Sequence, residues 1–153
     1  MGILDNEVLM ESLGGALATI GGFATIIALI QGLISWYKLR CETEKEYFMI
    51  GNSKELKKER FEVRHNTRTF DEYKNDGEFM VTISSAVEFF ETWARMAKRH
   101  YLPFRVFKGA VGIGVCTFFD SVSDYIYNMR KNNPYFAENY EWLYKKIHKK
   151  YID

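Results

Sequence analysis

The sequence predicts an N-terminal single transmembrane α-helix followed by a small, mainly helical α+β domain in the cytoplasm. Three observations support this fold class: a long uncharged run near the start, a helical apolar period in much of the remainder, and two short stretches with strand character. The predicted organisation is a short extracytoplasmic N-terminus, a transmembrane helix, a juxtamembrane connector and a cytoplasmic domain, at residues 1–11, 12–37, 38–52 and 53–153.

The uncharged run covers 26 residues, from Ser12 to Tyr37, without Asp, Glu, Lys, Arg or His. As an α-helix it is about 39 Å long, whereas the hydrocarbon core of a bilayer is about 30 Å thick. A helix satisfies its own backbone hydrogen bonds, which a lipid environment requires. The alternative is a buried core helix of a soluble domain, which rarely runs this long without charge.

Small residues recur along this helix in alternating steps of four and three. In lipid, helices associate through close backbone approach, which small side chains permit, and a seven-residue repeat favours a left-handed crossing. The pattern predicts a homo-oligomer whose subunit number stays open. The packing residues are Gly14, Ala18, Gly21, Thr25, Ala28, Gly32 and Ser35.

The charges flanking the helix predict its orientation. The first eleven residues contain three acidic and no basic side chains, whereas Lys38 and Arg40 follow the apolar run. The positive-inside rule therefore predicts a single-pass protein of the cell inner membrane, with the N-terminus outside and the C-terminal domain in the cytoplasm.

The charge balance of the domain excludes some partners. All 21 Lys and Arg follow residue 37 against 17 acidic residues, so the cytoplasmic part is net +4. That excess is too small to predict binding to duplex nucleic acid. The scattered His and Cys predict no metal site, and we expect no cofactor.

The first part of the domain mixes helix and strand signals. Residues 38–46 are expected to continue the membrane helix, and Tyr47–Ile50 reads as a strand ended by a turn at Gly51-Asn52. Ser53 is suited to cap a short helix over 53–59. Alternation over 60–70 predicts a strand, with a helix as the competing interpretation.

The second part of the domain predicts helices. A break at 75–77 precedes the clearest soluble helix, 78–101, which Pro103 ends. Residues 109–119 form a buried helix or strand, and 120–130 continue as helix. The last helix is expected to start at Asn133-Pro134 and to end in a basic tail.

Two groups of arginines are candidate sites for an anionic ligand. Arg60, Arg64 and Arg68 are predicted to share one face in either a strand or a helix, and a second pair lies one turn apart on the long helix. Arginine forks match phosphate oxygens well. The alternatives are solvated ion pairs or a contact with the inner leaflet. The predicted ligand-binding residues are Arg60, Arg64, His65, Asn66, Arg68, Arg95 and Arg99.

Two segments carry an Arg-x4-His spacing, at Arg60–His65 and Arg95–His100. This spacing resembles the catalytic motif of HEPN-type ribonucleases, in which a polar residue usually follows the arginine. Here Phe61 and Met96 take that position. We therefore predict no catalytic residue and no enzymatic activity. A HEPN-like ribonuclease is kept as the least favoured of the functions considered.

The combination of one spanning helix, an oligomerising stripe and arginine faces resembles the single-span membrane effectors of type III CRISPR defence. That resemblance implies an antiviral effector in which a cyclic oligoadenylate binds the cytoplasmic domain of a homo-oligomer and the membrane is then perturbed. The competing prediction is a passive membrane anchor that holds another protein through its aromatic surface.

A second resemblance is local. Residues 133–143, NPYFAENYEWL, and the earlier stretch Val87–Glu91 are similar to an uncharacterised family of bacterial single-span membrane proteins. That family has no known activity, so the resemblance implies no functional residue.

Overall fold

The computed structural model describes the backbone of residues 4–152 and the side chains of residues 22–151, and within that range every regular element is helical. A 3₁₀ turn spans Phe104–Phe107, and a short π-helical segment spans His148–Ile152. The α-helices are α1 (Leu4–Gly51), α2 (Lys54–Arg64), α3 (Phe70–Tyr73), α4 (Gly77–Lys98), α5 (Ala110–Met129) and α6 (Glu138–Ile147).

The chain divides into two compact units, Met1–Leu39 and Arg40–Asp153. In the first unit, the apolar side chains of α1 are exposed, with Leu29 at 65% and Leu33 at 66%. A core helix of a soluble domain would bury them, so this observation argues against that alternative. By length and composition, Gly22–Gly51 can cross a membrane.

The predicted small-residue stripe lies partly within the described side chains. Thr25, Ala28, Gly32 and Ser35 are all exposed on α1. An added Cβ at Gly32 would meet nothing within 4 Å, so this side of the helix is open. The remaining stripe residues, Gly14, Ala18 and Gly21, lie outside the described side chains.

The second unit has one hydrophobic core organised around α4. This helix contacts α2, α5 and α6. Aromatic rings fill the centre: Phe90 stacks on Tyr140 at 4.9 Å, and Phe118 lies 5.1 Å from Phe90. Buried aromatic pairs of this kind add to the hydrophobic stabilisation of a core. The domain is therefore held by helix-on-helix packing.

The cap predicted for the second helix is confirmed. The Ser53 Oγ accepts a hydrogen bond from the backbone N–H of Leu56 at 3.3 Å. This bond satisfies one of the N–H groups that a helix start leaves unpaired. Two buried residues, Leu56 and Val63, then hold α2 against the domain.

The two predicted strands are wrong, so the α+β assignment is replaced by an all-helical domain in the described range. Tyr47–Ile50 belongs to α1, which buries Tyr47 and leaves Met49 71% exposed. Residues 60–64 belong to α2, where Phe61 is 64% exposed and Val63 2% exposed. In a helix, residues two positions apart point to nearly opposite sides, whereas in a strand they share one face. The alternating pattern therefore predicts the wrong exposure for these residues.

Two predicted helix boundaries also need correction. The last helix starts at Glu138 rather than at Asn133-Pro134, because the chain first turns through Ala137, whose φ is 53°. The predicted helix at 78–101 ends at Lys98, before His100 with a φ of 64°. Left-handed residues interrupt helical geometry at both places. Residues 109–119, left open between helix and strand, form the start of α5.

Candidate anion-binding cavity

Two of the predicted arginines, Arg60 and Arg64, lie one turn apart on α2 and line the same cavity. We call it the arginine cavity, and its volume is about 350 Å³. Small-molecule sites usually have volumes of about 300–1,000 Å³. Its wall is formed by α1, α2 and α5, together with the Phe90 ring of α4. The remaining lining residues are Tyr47, Phe48, Gly51, Asn52, Phe90, Ala110, Val111, Gly114 and Val115.

The Arg60 side chain is held in place by the domain itself. Its Nη2 donates to the carbonyl oxygen of Gly51, and its Nε donates to that of Leu56 at 3.3 Å. The guanidinium carbon lies 5.8 Å and 5.9 Å from the ring centres of Phe89 and Phe90. Arg60 therefore offers a fixed positive charge at the cavity wall.

The surroundings of Arg60 destabilise its charged form relative to an arginine in water. Burial lowers the pKa of the Arg60 guanidinium below its usual value; Tyr47 partly offsets this effect, and the charge of Arg64 nearby adds to it. Two like charges beside one cavity repel each other and favour an anion between them. The cavity is therefore electrostatically prepared for a negatively charged group.

Arg64 differs from Arg60 because it is exposed. Among the described residues its side chain makes no hydrogen bond and no ion pair. Its guanidinium can therefore turn towards a ligand without breaking an internal bond. An arginine that is already fixed and one that can adapt make a two-point clamp for phosphate oxygens.

The same two arginines also line a second, neighbouring cavity with a volume of about 330 Å³. Lys57, Phe61 and His65 complete its wall. The Phe61 ring lies 4.0 Å from the His65 ring, and the His65 Nδ1 is 2.8 Å from the Phe61 carbonyl oxygen. Because that carbonyl only accepts, this hydrogen bond requires a proton on Nδ1.

The start of α5 forms the wall opposite α2. Gly109 caps this helix with a φ of 67° and offers no side-chain acceptor to the first turn. Backbone N–H groups in a first turn have no partner within the helix and carry the positive end of its dipole. Ala110 and Val111, in this turn, line the arginine cavity. Gly114 keeps the cavity open, because an added Cβ there would meet nothing within 4 Å.

Aromatic side chains complete the cavity. Tyr47 and Phe48 come from the end of α1 and Phe90 from α4. The Tyr47 and Phe48 rings lie 5.3 Å apart in an edge-on arrangement. Tyr47 and Phe90 are buried, whereas the Phe48 ring is 38% exposed and offers an apolar surface beside the charged groups, which suits a nucleobase next to its phosphate.

The other predicted ligand residues are placed elsewhere. Arg68 follows the end of α2, where it pairs with Asp76 at 2.9 Å and lies 4.7 Å from the centre of the Phe79 ring. Asn66 accepts a hydrogen bond from the Nε of Arg68 at 3.1 Å. The predicted common face therefore includes Arg60 and Arg64, with His65 beside them, and excludes Arg68 and Asn66.

The second predicted group does not join the arginine cavity. Arg95 pairs with Glu91 at 3.6 Å, and Arg99 lies exposed just after the end of α4. Glu91 also accepts from the backbone N–H of Tyr140 at 2.8 Å, so it caps α6. Arg95 therefore belongs to the contact between α4 and α6.

The sequence interpretation missed the residues from α1 and α5 that line the arginine cavity. Tyr47 and Phe48 are predicted as part of a strand, and residues 109–119 are predicted only as a buried helix or strand, with no role in a site. The signal in the sequence for the α5 wall is the small size of Ala110 and Gly114, which leaves room for a ligand. Their position opposite α2 depends on the tertiary fold.

Comparison with known proteins places the chain in a family without assigning an activity. A family model described as a domain of unknown function (DUF4760) matches residues 18–147. No curated protein and no solved structure matches the chain. The match covers most of the domain and reaches into the apolar part of α1. The chain therefore belongs to the DUF4760 family, a family of uncharacterised function.

Proposed function

We propose that this protein is a single-pass membrane sensor whose cytoplasmic domain binds a phosphorylated small molecule in the arginine cavity. The observation that carries the proposal is the convergence of Arg60, Arg64 and the first turn of α5 on one cavity. Charged forks and helix N-termini are both good anion binders. The proposed topology, in the cell inner membrane with the N-terminus outside, follows from the basic residues after the apolar run.

A nucleotide is the ligand class that fits this cavity best. Its phosphate suits the arginines, and its base suits the ring of Phe48, which is 38% exposed beside them. The neighbouring cavity shares Arg60 and Arg64 and adds the Phe61–His65 ring pair. Two adjacent cavities with shared arginines suit a ligand that contains several nucleotides. A cyclic oligoadenylate, the signal implied by the resemblance to type III CRISPR effectors, is such a ligand.

In this proposal, self-association of the membrane helices links ligand binding to an effect on the bilayer. The exposed small residues Thr25, Ala28, Gly32 and Ser35 support helix–helix contacts. Tyr47, Phe48 and Gly51 belong to the same helix, α1, as this stripe. A ligand that binds one packing arrangement better than another shifts the population towards it. In this proposal the shift perturbs the bilayer, as an antiviral effector requires.

The first experiment measures thermal unfolding of the full-length protein in detergent with cyclic oligoadenylates, linear oligoadenylates and inorganic phosphate. A ligand at 100 times its dissociation constant stabilises the native state by about 2.7 kcal/mol. We expect a selective shift with a phosphorylated ligand. If none of these compounds shifts the transition, the proposal is wrong and the passive anchor becomes the better account.

The same assay tests the site through Arg64→Glu. We expect affinity for the stabilising ligand to fall by about 100-fold, because a charge-assisted hydrogen bond is worth about 1.5–3 kcal/mol and repulsion replaces it. Unfolding without ligand should change little, since Arg64 is exposed. Arg99→Glu makes the same charge change at an exposed position outside the cavity and serves as the control. Equal losses in the two variants would contradict the assignment.

A further inference from the structure

A third concave surface lies between α4, α2 and the end of α1. We call it the acidic groove, and its volume is about 600 Å³. Its floor is apolar and includes Leu56, Phe89 and Trp93. All the charged residues that line it are acidic: Glu46, Glu55, Glu59 and Glu88.

These four carboxylates have no cationic partner among the described residues. Glu59 accepts a hydrogen bond from the Ser85 hydroxyl at 3.0 Å, and Glu88 accepts one from Ser84 at 3.1 Å. Neither bond neutralises the charge. A concave surface lined by one sign of charge concentrates its field and attracts the opposite sign. The groove therefore fits an element that is both apolar and basic.

The C-terminal end of the same chain has that chemistry. Lys145, Lys146, Lys149 and Lys150, which we call the basic segment, lie on α6 and the π-helical segment after it. Aromatic rings lie among them: the Lys146 Nζ is 4.9 Å from the centre of the Trp142 ring. Lysine stems beside half-buried rings form a surface with apolar and positive parts together. Lys145 already pairs with Glu141 at 2.6 Å, so the three lysines that follow it carry the charge that complements the acidic groove.

The basic segment does not reach the groove of its own chain. α6 packs on α4 through Phe90, which stacks on Tyr140, and through Glu91, which bonds the Tyr140 N–H. The groove uses Phe89, Thr92 and Met96, which project from the other side of α4. An occupant with this chemistry must therefore come from another molecule.

We infer that the acidic groove of one subunit receives the basic segment of a second copy of this chain. The dimensions agree: the groove follows α4 from Ser85 to Met96, about 16 Å, and residues 142–151 of a helix span about 14 Å. Groove and segment are different surfaces, so the contact is head-to-tail and builds a ring when the rotation closes. This inference rests on the proposed self-association, and it supplies the cytoplasmic contact of that oligomer.

Cysteine crosslinking of the full-length protein in membranes tests the contact. The background carries Cys41→Ser, since Cys41 is half-buried, and keeps the buried Cys116. A variant with both Glu55→Cys and Lys149→Cys is expected to form a disulfide between subunits when mild oxidant is added. Ser35→Cys, in a separate variant, reports association of the membrane helices alone.

Charge reversal makes the test specific. Glu88→Lys in the groove and Lys146→Glu in the basic segment should each reduce the crosslink between positions 55 and 149 by tenfold or more, and the two together should restore it. Glu62→Lys changes an exposed acid of α2 outside the groove and should leave the crosslink unchanged.

The outcomes separate this contact from the proposed oligomer. A crosslink through Ser35→Cys without one between groove and segment overturns the contact and leaves the self-association. Absence of both crosslinks overturns both. A groove–segment crosslink that neither charge reversal changes also overturns the inferred contact.

Discussion

Replacing Arg130 by methionine is expected to lower the free energy of unfolding of the domain by about 3 kcal/mol, the largest loss we predict for one side chain. Arg130 donates to the carbonyl oxygens of Phe136 and Ala137 at 2.8 Å and 3.3 Å. It also pairs with Glu141 at 2.5 Å, and each of these two side chains is only 19% exposed. One guanidinium thus holds the turn that leads into α6.

Methionine keeps the length and apolar packing of the arginine stem but removes all three of these hydrogen bonds. The Phe136 carbonyl then loses its donor, whereas the Ala137 carbonyl keeps the Glu141 N–H at 3.1 Å and the Glu141 carboxylate keeps Lys145 at 2.6 Å. Unmade hydrogen bonds of half-buried groups cost about 1–3 kcal/mol each, partly recovered by water. Thermal unfolding of the full-length protein in detergent should therefore shift down by on the order of 10 °C. The control is Lys131→Met, at an exposed neighbour whose Nζ bonds only Asn128. Equal shifts in the two variants would show that the clamp does not stabilise the domain.

Replacing Gly112 by alanine is the second substitution with a large expected effect. An added Cβ would lie 2.1 Å from the carbonyl oxygen of Phe107 and 3.1 Å from Cγ2 of Ile147. The oxygen belongs to the backbone, so the 3₁₀ turn must move away from α5. Overpacking of this kind costs about 1–3 kcal/mol, more than the gain of about 1 kcal/mol from alanine helix propensity.

Gly114→Ala is the matched control, two residues along the same helix. An added Cβ at Gly114 would meet nothing within 4 Å, so only the propensity gain remains. Urea unfolding should show the Gly112 variant less stable and the Gly114 variant slightly more stable than the natural sequence. The same sign of change in both would contradict the close approach at Gly112.

The elements with a strong local signal could be predicted from the sequence. The apolar run of α1, the Ser53 cap of α2 and the apolar stripe of α4 each depend on residues that are close together in the chain. The strand prediction at Tyr47–Ile50 is wrong because four residues are too few to distinguish a strand from the end of a long helix. The predicted start of α6 is wrong because the side chain that caps this helix, Glu91, lies far away in the sequence.

The candidate site could be predicted only in part, for the same reason. Arg60 and Arg64 share a helical turn, so their spacing already placed them together. Arg68 was predicted with them, but α2 ends at Arg64 and Asp76 binds the Arg68 side chain instead. The opposite wall of the cavity comes from α5, about fifty residues later, and no pattern within α2 indicates that contact.

The most direct measurement is equilibrium binding of labelled cyclic oligoadenylates to the full-length protein in detergent, compared with Gly114→Phe. Gly114 lines the arginine cavity and has open space in place of a side chain, so a phenyl ring there fills the cavity without changing its charge. We predict saturable binding to the natural sequence and a loss of at least tenfold in affinity in the variant, with its unfolding transition preserved. Equal affinity in the two proteins, or no binding to the natural sequence, would contradict a ligand site in the arginine cavity.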